Sequence, residues 1–405
     1  MSLLPVEEAL RRVLGAVTGP VEAENLPIGQ CGRRTLAQDL PALRTQPPFA
    51  ASSMDGYAVR AADASTTPVA LRLVGTSAAG RRFEGVVRPG EAVRIFTGAP
   101  LPDGTDGVVI QEHVEIDGVR VILREPARPG RHVRPAGLDF SEGAVLLRAG
   151  VRLDASRLAL AAAMGHGRVA VRRRPRVAIL ATGDELVRPG EHAGPDQIVA
   201  SNPFAVAALV ETAGGEAIDL GIARDTFADL ERAFAGARES GADLLVTLGG
   251  ASVGEHDLVQ SALAREGMEL GFWRVALRPG KPLMHGRLGP MLLLGLPGNP
   301  VSSIVCAILF MVPAIRAMLG DPGAGDDPTE AAVLGADLPA NDARQDYLRA
   351  MLCTGEDLPV ATVHAVQDSS MLSVLAASDA LIVRAPAAPA ARAGERCRVI
   401  RLDRS

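Results

Sequence analysis

Arg176-Val177-Ala178-Ile179-Leu180-Ala181-Thr182-Gly183-Asp184-Glu185-Leu186 begins as an apolar run of strand length and turns into a short polar loop with a glycine. Such a run reads as a strand buried on both faces, and the segments after it alternate in character. A helix is predicted over Asn202–Ala213, a strand over 217–222, a helix over 226–239, a strand over Leu244–Leu248 and a helix over 257–265. A strand over 291–294 and an apolar helix over 301–319 complete the series. This alternation predicts a central α/β/α domain, 176–322, with a mainly parallel sheet covered on both faces. In an open sheet of that kind, ligands bind just beyond the carboxyl ends of the strands. Three turns occupy that position: Thr182-Gly183-Asp184-Glu185-Leu186, Gly249-Gly250-Ala251-Ser252-Val253-Gly254-Glu255-His256-Asp257, and Pro297-Gly298-Asn299-Pro300-Val301-Ser302. All three are expected to face one crevice.

The chain on either side has a different texture. Residues 46–136 hold short β-rich runs at 69–74, 92–96, 107–111 and 119–123 between Pro/Gly turns, which predicts a small inserted β domain. Around it, 1–45 and 137–175 carry an N-terminal amphipathic helix and an alanine-rich helix over 154–165, and they predict a discontinuous helical and extended stalk. A polar Pro/Gly linker at 321–328 ends the central domain. The remainder, 323–405, returns to short runs at 347–352, 361–366, 380–384 and 396–401, which predict a C-terminal β-barrel. Several domains are expected of 405 residues in any case.

Composition narrows the function. A net charge of -5 leaves no electrostatic footprint for nucleic acid. The four cysteines, Cys31, Cys306, Cys353 and Cys397, are far apart and form no C-x-x-C pair, which points away from a zinc site or disulfide framework and towards a reducing compartment. The N-terminus puts acids before arginines, unlike a signal peptide. The apolar stretch at 301–319 contains Ser302, Ser303, Pro313 and Arg316, so a buried helix is expected there rather than a membrane span. The expectation is a cytoplasmic enzyme with no membrane anchor.

The turns carry the chemistry. Gly249, Gly250 and Gly254 allow backbone amides to approach an anion, Ser252 adds a hydroxyl, and helix N-termini beyond the turns favour phosphate. In the third turn Pro297 and Pro300 hold an extended backbone around Gly298-Asn299, with Ser302 following. Asp184, Glu185, Asp225 and Asp257 fall at strand ends or helix starts, where they repel a phosphate unless a hard cation such as Mg²⁺ stands between. Asp184, Asp225 and Asp257 equally suit helix N-caps, and each turn singly suits an ordinary chain reversal, so both readings stay open. Positive charge is offered by Trp273-Arg274-Val275-Ala276-Leu277-Arg278-Pro279-Gly280-Lys281-Pro282. All but one of the 42 basic residues are arginine, and the exception is Lys281, whose compact ammonium an arginine does not reproduce. Ser52-Ser53-Met54-Asp55-Gly56-Tyr57-Ala58-Val59 and Phe96-Thr97-Gly98-Ala99-Pro100 read, on physical grounds alone, as polar turns. His113, His132 and His166 lack ligand spacing and are expected to be structural.

Taken together, Ser53-Met54-Asp55-Gly56-Tyr57-Ala58, Thr97-Gly98-Ala99-Pro100, the three glycine turns and Pro279-Gly280-Lys281-Pro282 resemble the molybdopterin molybdenumtransferase family, in order and spacing, over nearly the whole chain. The same module forms the C-terminal part of the receptor-clustering protein gephyrin. The resemblance implies insertion of molybdate into adenylylated molybdopterin with Mg²⁺, release of AMP and molybdenum cofactor, and an elongated homodimer whose site is shared between subunits. It implies roles for Asp55, Thr97, Asp139, Glu185, Asp225 and Asp257 in activity or ligand binding, with Glu185, Asp225 and Asp257 as the metal set. Thr182, Gly183, Asp184, Gly249, Gly250, Ser252, Gly254, Arg274, Arg278, Lys281, Pro297, Gly298, Asn299, Pro300 and Ser302 fall on the binding surface it implies. Molybdopterin adenylyltransferase and molybdoenzyme apoproteins or their chaperones are the expected partners. Where the family usually has lysines, this chain has Arg274 and Arg278, which keeps the charge and changes its geometry. Two alternatives remain at this point: the adenylyltransferase activity itself, and a non-catalytic scaffold.

Overall fold

The computed structural model describes residues 3–250 and 258–402, and in it the opening run is the second strand of a six-stranded sheet. Strands Glu216–Ala223, Arg176–Thr182, Leu244–Leu248 and Met291–Leu296 are parallel neighbours in that order. Met284–Leu288 and Glu269–Trp273 extend the sheet antiparallel. Val177 and Ile179 enter the core shared with Val206 and Val210 of helix Asn202–Ala213. Ala178 and Leu180 enter the core on the other face, shared with Leu230 and Phe234 of helix Phe227–Glu239. Alternate residues of one strand thus build two cores, as the two-residue period of a strand requires. With each fully buried Val, Leu or Ile contributing about 1.5–3 kcal/mol, the strand is anchored from both sides. Its carboxyl end, and the turn that follows, are held accordingly.

The helix after the third turn runs as Pro300–Cys306, one wide turn Ala307–Met311, and Val312–Met318. Pro313 has no N–H for the carbonyl four residues back and its ring crowds that carbonyl, a conflict that a widened turn relieves. Pro300–Met318 is long and apolar enough to cross a membrane, yet 67% of its most apolar stretch is buried inside the protein.

The N-terminal helix departs from expectation. Val6–Gly15 buries Val6, Ala9 and Val13 in the α/β core beside Phe310 and Ile315, rather than in the stalk. The stalk core is built instead from Cys31, Leu36, Phe140, Leu153, Met164 and Val171. Within it Ala23–Pro27 pairs antiparallel with Arg168–Arg172. Helix Ala155–Ala163 is capped by Asp154, whose Oδ1 accepts from the Arg157 amide at 2.8 Å.

The inserted domain is a six-stranded sheet in the order Gly107–Ile110, Gly56–Val59, Glu91–Ile95, Val69–Ser77, Arg120–Leu123, Val114–Asp117. Gly56–Val59, expected to be a turn, is an interior strand with all four residues buried. A Cβ on Gly56 would lie 2.1 Å from the Val109 carbonyl oxygen, so only glycine permits this pairing. At the C-terminus Gln345–Cys353, Val360–Val363, Glu330–Leu334, Arg396–Arg401 and Ala380–Arg384 pair in a ring that closes back on Gln345–Cys353, a five-stranded barrel.

Candidate active site

The three turns line one cavity of about 800 Å³ at the carboxyl end of the parallel strands, with Thr182, Glu185, Asp225, Gly249, Asn299 and Ser302 in its wall. They meet at Gly249. A Cβ there would stand 2.8 Å from the Thr182 carbonyl oxygen and 3.1 Å from Thr182 Oγ1, and a Cβ on Gly298 would stand 3.8 Å from the Gly249 Cα. Gly249 and Gly250 have φ of 102° and 62°, a left-handed backbone that suits glycine. Thr182 is 5% exposed, and its Oγ1 is buried without a hydrogen-bond partner among the described residues. A buried hydroxyl without a partner is costly, and an oxyanion or hydroxyl-bearing ligand in the cavity would satisfy it. Of the second turn, Ser252, Gly254 and Asp257 lie outside the described residues.

Carboxylates gather around the first turn, Glu185 and Asp225 in the cavity wall and Asp184 beside them. Glu185 reaches back over its own turn, so that a Cβ on Gly183 would lie 2.5 Å from Glu185 Oε2. The Asp225 amide donates to Asp184 Oδ1 at 3.3 Å. The Asp225 carboxyl is held above the usual carboxylate range, first by desolvation against the cavity wall and then by the charges of Asp184 and Glu185. The N-cap reading fails for two of these acids. Thr226 caps helix Phe227–Glu239, its Oγ1 accepting from the Asp229 amide at 3.2 Å, and Asp184 precedes the short strand Leu186–Val187 rather than a helix.

A carboxylate whose folded pKa lies above its unfolded value opposes folding above that range, and the penalty disappears as pH falls through the folded value. Asp225→Asn is therefore expected to raise the melting temperature at pH 7 by about 1–2 °C. The gain should vanish near pH 3, and parallel thermal melts at the two pH values check it.

The basic group does not converge as expected. Among Arg274, Arg278 and Lys281 none lines the cavity, whereas Pro282 does. Leu277–Arg278 pairs as a parallel strand with Gln345 and Asp346 of the barrel, and this register carries the Arg278 side chain to Asp346, to Asp342 at 3.1 Å and to Asn341 at 3.3 Å. Arg278 is thereby a joint between two domains. Arg274 has φ 105° and its guanidinium carbon is 5.3 Å from the Trp273 ring centroid; its Nε is buried without a partner among the described residues. Lys281 is exposed. Because Asp346 is only 3% exposed, Arg278→Ala leaves a buried carboxylate without its cation. It should cost about 1–3 kcal/mol in urea denaturation, a loss that a purely ligand-binding arginine would not produce.

Two neighbours of the cavity were not legible in the sequence. Asn202 opens helix Asn202–Ala213 and donates from Nδ2 to the Gly298 carbonyl at 2.7 Å. Ser370, from the C-terminal domain, also lines the cavity; beside it the Ser369 carbonyl accepts from the Val301 amide at 3.1 Å and Ser369 Oγ accepts from Asn299 Nδ2 at 3.0 Å. Only the Ser-Asn-Pro at 201–203 offered a signal, and it reads as a helix start. Asp55 and Thr97 lie together in the inserted domain, outside this chain's own cavity: Asp55 Oδ1 accepts from the Thr97 amide at 2.8 Å and from Thr97 Oγ1 at 2.9 Å. Asp139 is exposed in the stalk, its amide donating to the Gln46 carbonyl at 3.0 Å.

Comparison with known proteins agrees across the chain. Residues 4–165 match the MoeA N-terminal region (domain I and II), 178–317 a probable molybdopterin binding domain, and 331–402 the MoeA C-terminal region (domain IV). A molybdopterin molybdenumtransferase of Haemophilus influenzae is 35% identical over 385 residues, covering 94% of each chain. One of Bacillus subtilis is 34% identical over 390 residues, covering 94% of this chain and 90% of that one. A crystal structure of a molybdopterin biosynthesis MoeA protein from Pyrococcus horikoshii superposes with a TM-score of 0.82 at 31% identity, covering 99% of both chains. With every domain matched in order and relatives similar over nearly their full length, the chain belongs to the molybdopterin molybdenumtransferase family.

Proposed function

We propose that this chain inserts molybdate into adenylylated molybdopterin, releasing AMP and molybdenum cofactor. The observation that carries the reading is the meeting of three glycine turns at Gly249, in a cavity whose wall holds Thr182, its hydroxyl without a partner among the described residues, and the Glu185 and Asp225 carboxylates. Backbone and hydroxyl donors suit a pyrophosphate and an oxyanion. Carboxylates beside them suit a hard divalent cation, which binds oxygen donors. Among the described residues no three acids, histidines or cysteines are close enough to hold a metal unaided. Glu185 and Asp225 would therefore share Mg²⁺ with substrate phosphates, with Asp257 as the further candidate. Bound there, the cation would neutralise phosphate charge. The protein's own part is to place the pyrophosphate against the glycine floor, offer Thr182 Oγ1 as a donor, and exclude competing orientations.

A homodimer with a shared site belongs to the same reading. It would give Asp55 and Thr97, which lie away from this chain's own cavity, a place to act. Helix Asn202–Ala213 is apolar around most of its circumference and leaves Phe204 62% exposed, a surface suited to burial against another subunit. All four cysteines are free, which suits the cytoplasm. Molybdopterin adenylyltransferase upstream and molybdoenzyme apoproteins or their chaperones downstream are the partners this chemistry calls for.

The deciding experiment supplies purified protein with adenylylated molybdopterin, Mg²⁺ and molybdate. AMP release that depends on molybdate is expected; its absence overturns the reading. ATP consumption with free molybdopterin would instead indicate the adenylyltransferase.

A further inference from the structure

Arg94, on strand Glu91–Ile95, stands opposite Tyr57 in the interior of the inserted sheet. Its guanidinium carbon is 4.9 Å from the Tyr57 ring centroid and 5.0 Å from that of Phe96. Tyr57 is buried, whereas Phe96 is 38% exposed. Arg94 Nη2 donates to Gln111 Oε1 at 2.5 Å and Nη1 to the Gly56 carbonyl at 3.4 Å. The Gln111 amide in turn donates to the Asp55 carbonyl at 3.1 Å. Arg94 therefore contacts the residue after Asp55, the residue bonded to its carbonyl, and the ring next to Thr97, whose amide and hydroxyl hold the Asp55 carboxylate. Both Thr97 bonds fall on Oδ1, so they fix where Oδ2 points.

We infer that Arg94 is the positioning residue for Asp55, holding from behind the two strand ends that present its carboxylate. The inference rests on the reading that Asp55 serves the site. A flat guanidinium lies near both rings while its two terminal nitrogens donate to separate acceptors in one plane, a fixed geometry that a compact ammonium does not reproduce. Its hydrogen-bond partners are neutral oxygens, and its charge is felt at Asp55. Asp55 lies below the usual carboxylate range, chiefly through the Thr97 amide and hydroxyl and then through the Arg94 charge.

The test uses full-length Arg94→Gln, Arg94→Lys, Asp55→Asn and the Asp55→Asn/Arg94→Gln double variant. Arg94→Gln should lower kcat for molybdate-dependent AMP release on the order of 10-fold, since small displacements of a working group are costly. KM should stay within about two-fold, because Arg94 does not itself bind substrate. The double variant should be no slower than Asp55→Asn alone, because a residue acting through Asp55 has nothing left to position. Hydrogen exchange of the peptide bearing the Thr97 amide should quicken in both Arg94→Gln and Arg94→Lys; should Arg94→Gln fail to fold, Arg94→Lys carries the measurement. Losses that multiply in the double variant, or unchanged exchange at Thr97, overturn the inference. If the unaltered protein releases no AMP, the functional reading fails, and the exchange measurement still decides whether Arg94 positions the Asp55–Thr97 pair.

Discussion

Glu185→Gln is expected to lower molybdate-dependent AMP release by about 10²–10³-fold, the loss typical of removing one preorganised electrostatic group from an active site. The substitution preserves the shape of the side chain and its position over Gly183, and removes only the charge. Glu185 is exposed, so melting should be nearly unaffected, with a change in stability within about 0.5 kcal/mol. Steady-state kinetics beside a thermal melt separates the two effects. Removing this charge also relieves Asp225, whose carboxyl should return towards its ordinary value. A rate equal to that of the unaltered protein would mean that the Glu185 charge takes no part in catalysis.

Gly249→Ala should be nearly as damaging to activity, and damaging to stability as well. The left-handed backbone at Gly249 strains any side chain, and the added Cβ would stand 2.8 Å from a main-chain oxygen of Thr182. Thr182 ends the doubly covered strand, so it has little room to yield. The cost should be about 1–3 kcal/mol of stability in urea denaturation. Because the second turn must shift away from the first and third, AMP release should fall on the order of 10²-fold. Gly289→Ala is the control: its φ is 61°, and a Cβ there meets nothing within 4 Å. It should show backbone strain of about 1–2 kcal/mol and keep its rate. Equal loss of activity in both variants would mean that the meeting of the turns at Gly249 is unimportant.

Local pattern made much of this architecture legible. Apolar runs ending in glycine turns located the parallel strands, and helix Asn202–Ala213 and strand Leu244–Leu248 have the expected bounds. What failed to show depends on partners distant in sequence. Gly56–Val59 looks like a turn because its glycine is there for the close approach of Val109, about fifty residues away, rather than for a chain reversal. The N-terminal helix announces an apolar face without saying what covers it. Arg278 looks like a ligand to an oxyanion until pairing with Gln345 and Asp346 claims it. Ser370 is invisible because the barrel must first dock on the third turn. Asp184 and Asp225 pass equally for caps and for site carboxylates until Thr226 is seen to do the capping.

Lys281, exposed beside the cavity-lining Pro282, bears the only ε-amine in the chain. An amine-directed dye, crosslinker or affinity tag thus has a single lysine address, without any prior mutagenesis. Attached there, a fluorophore would sit at the edge of the candidate site and could report ligand arrival, and a bifunctional reagent would measure how near a second subunit comes.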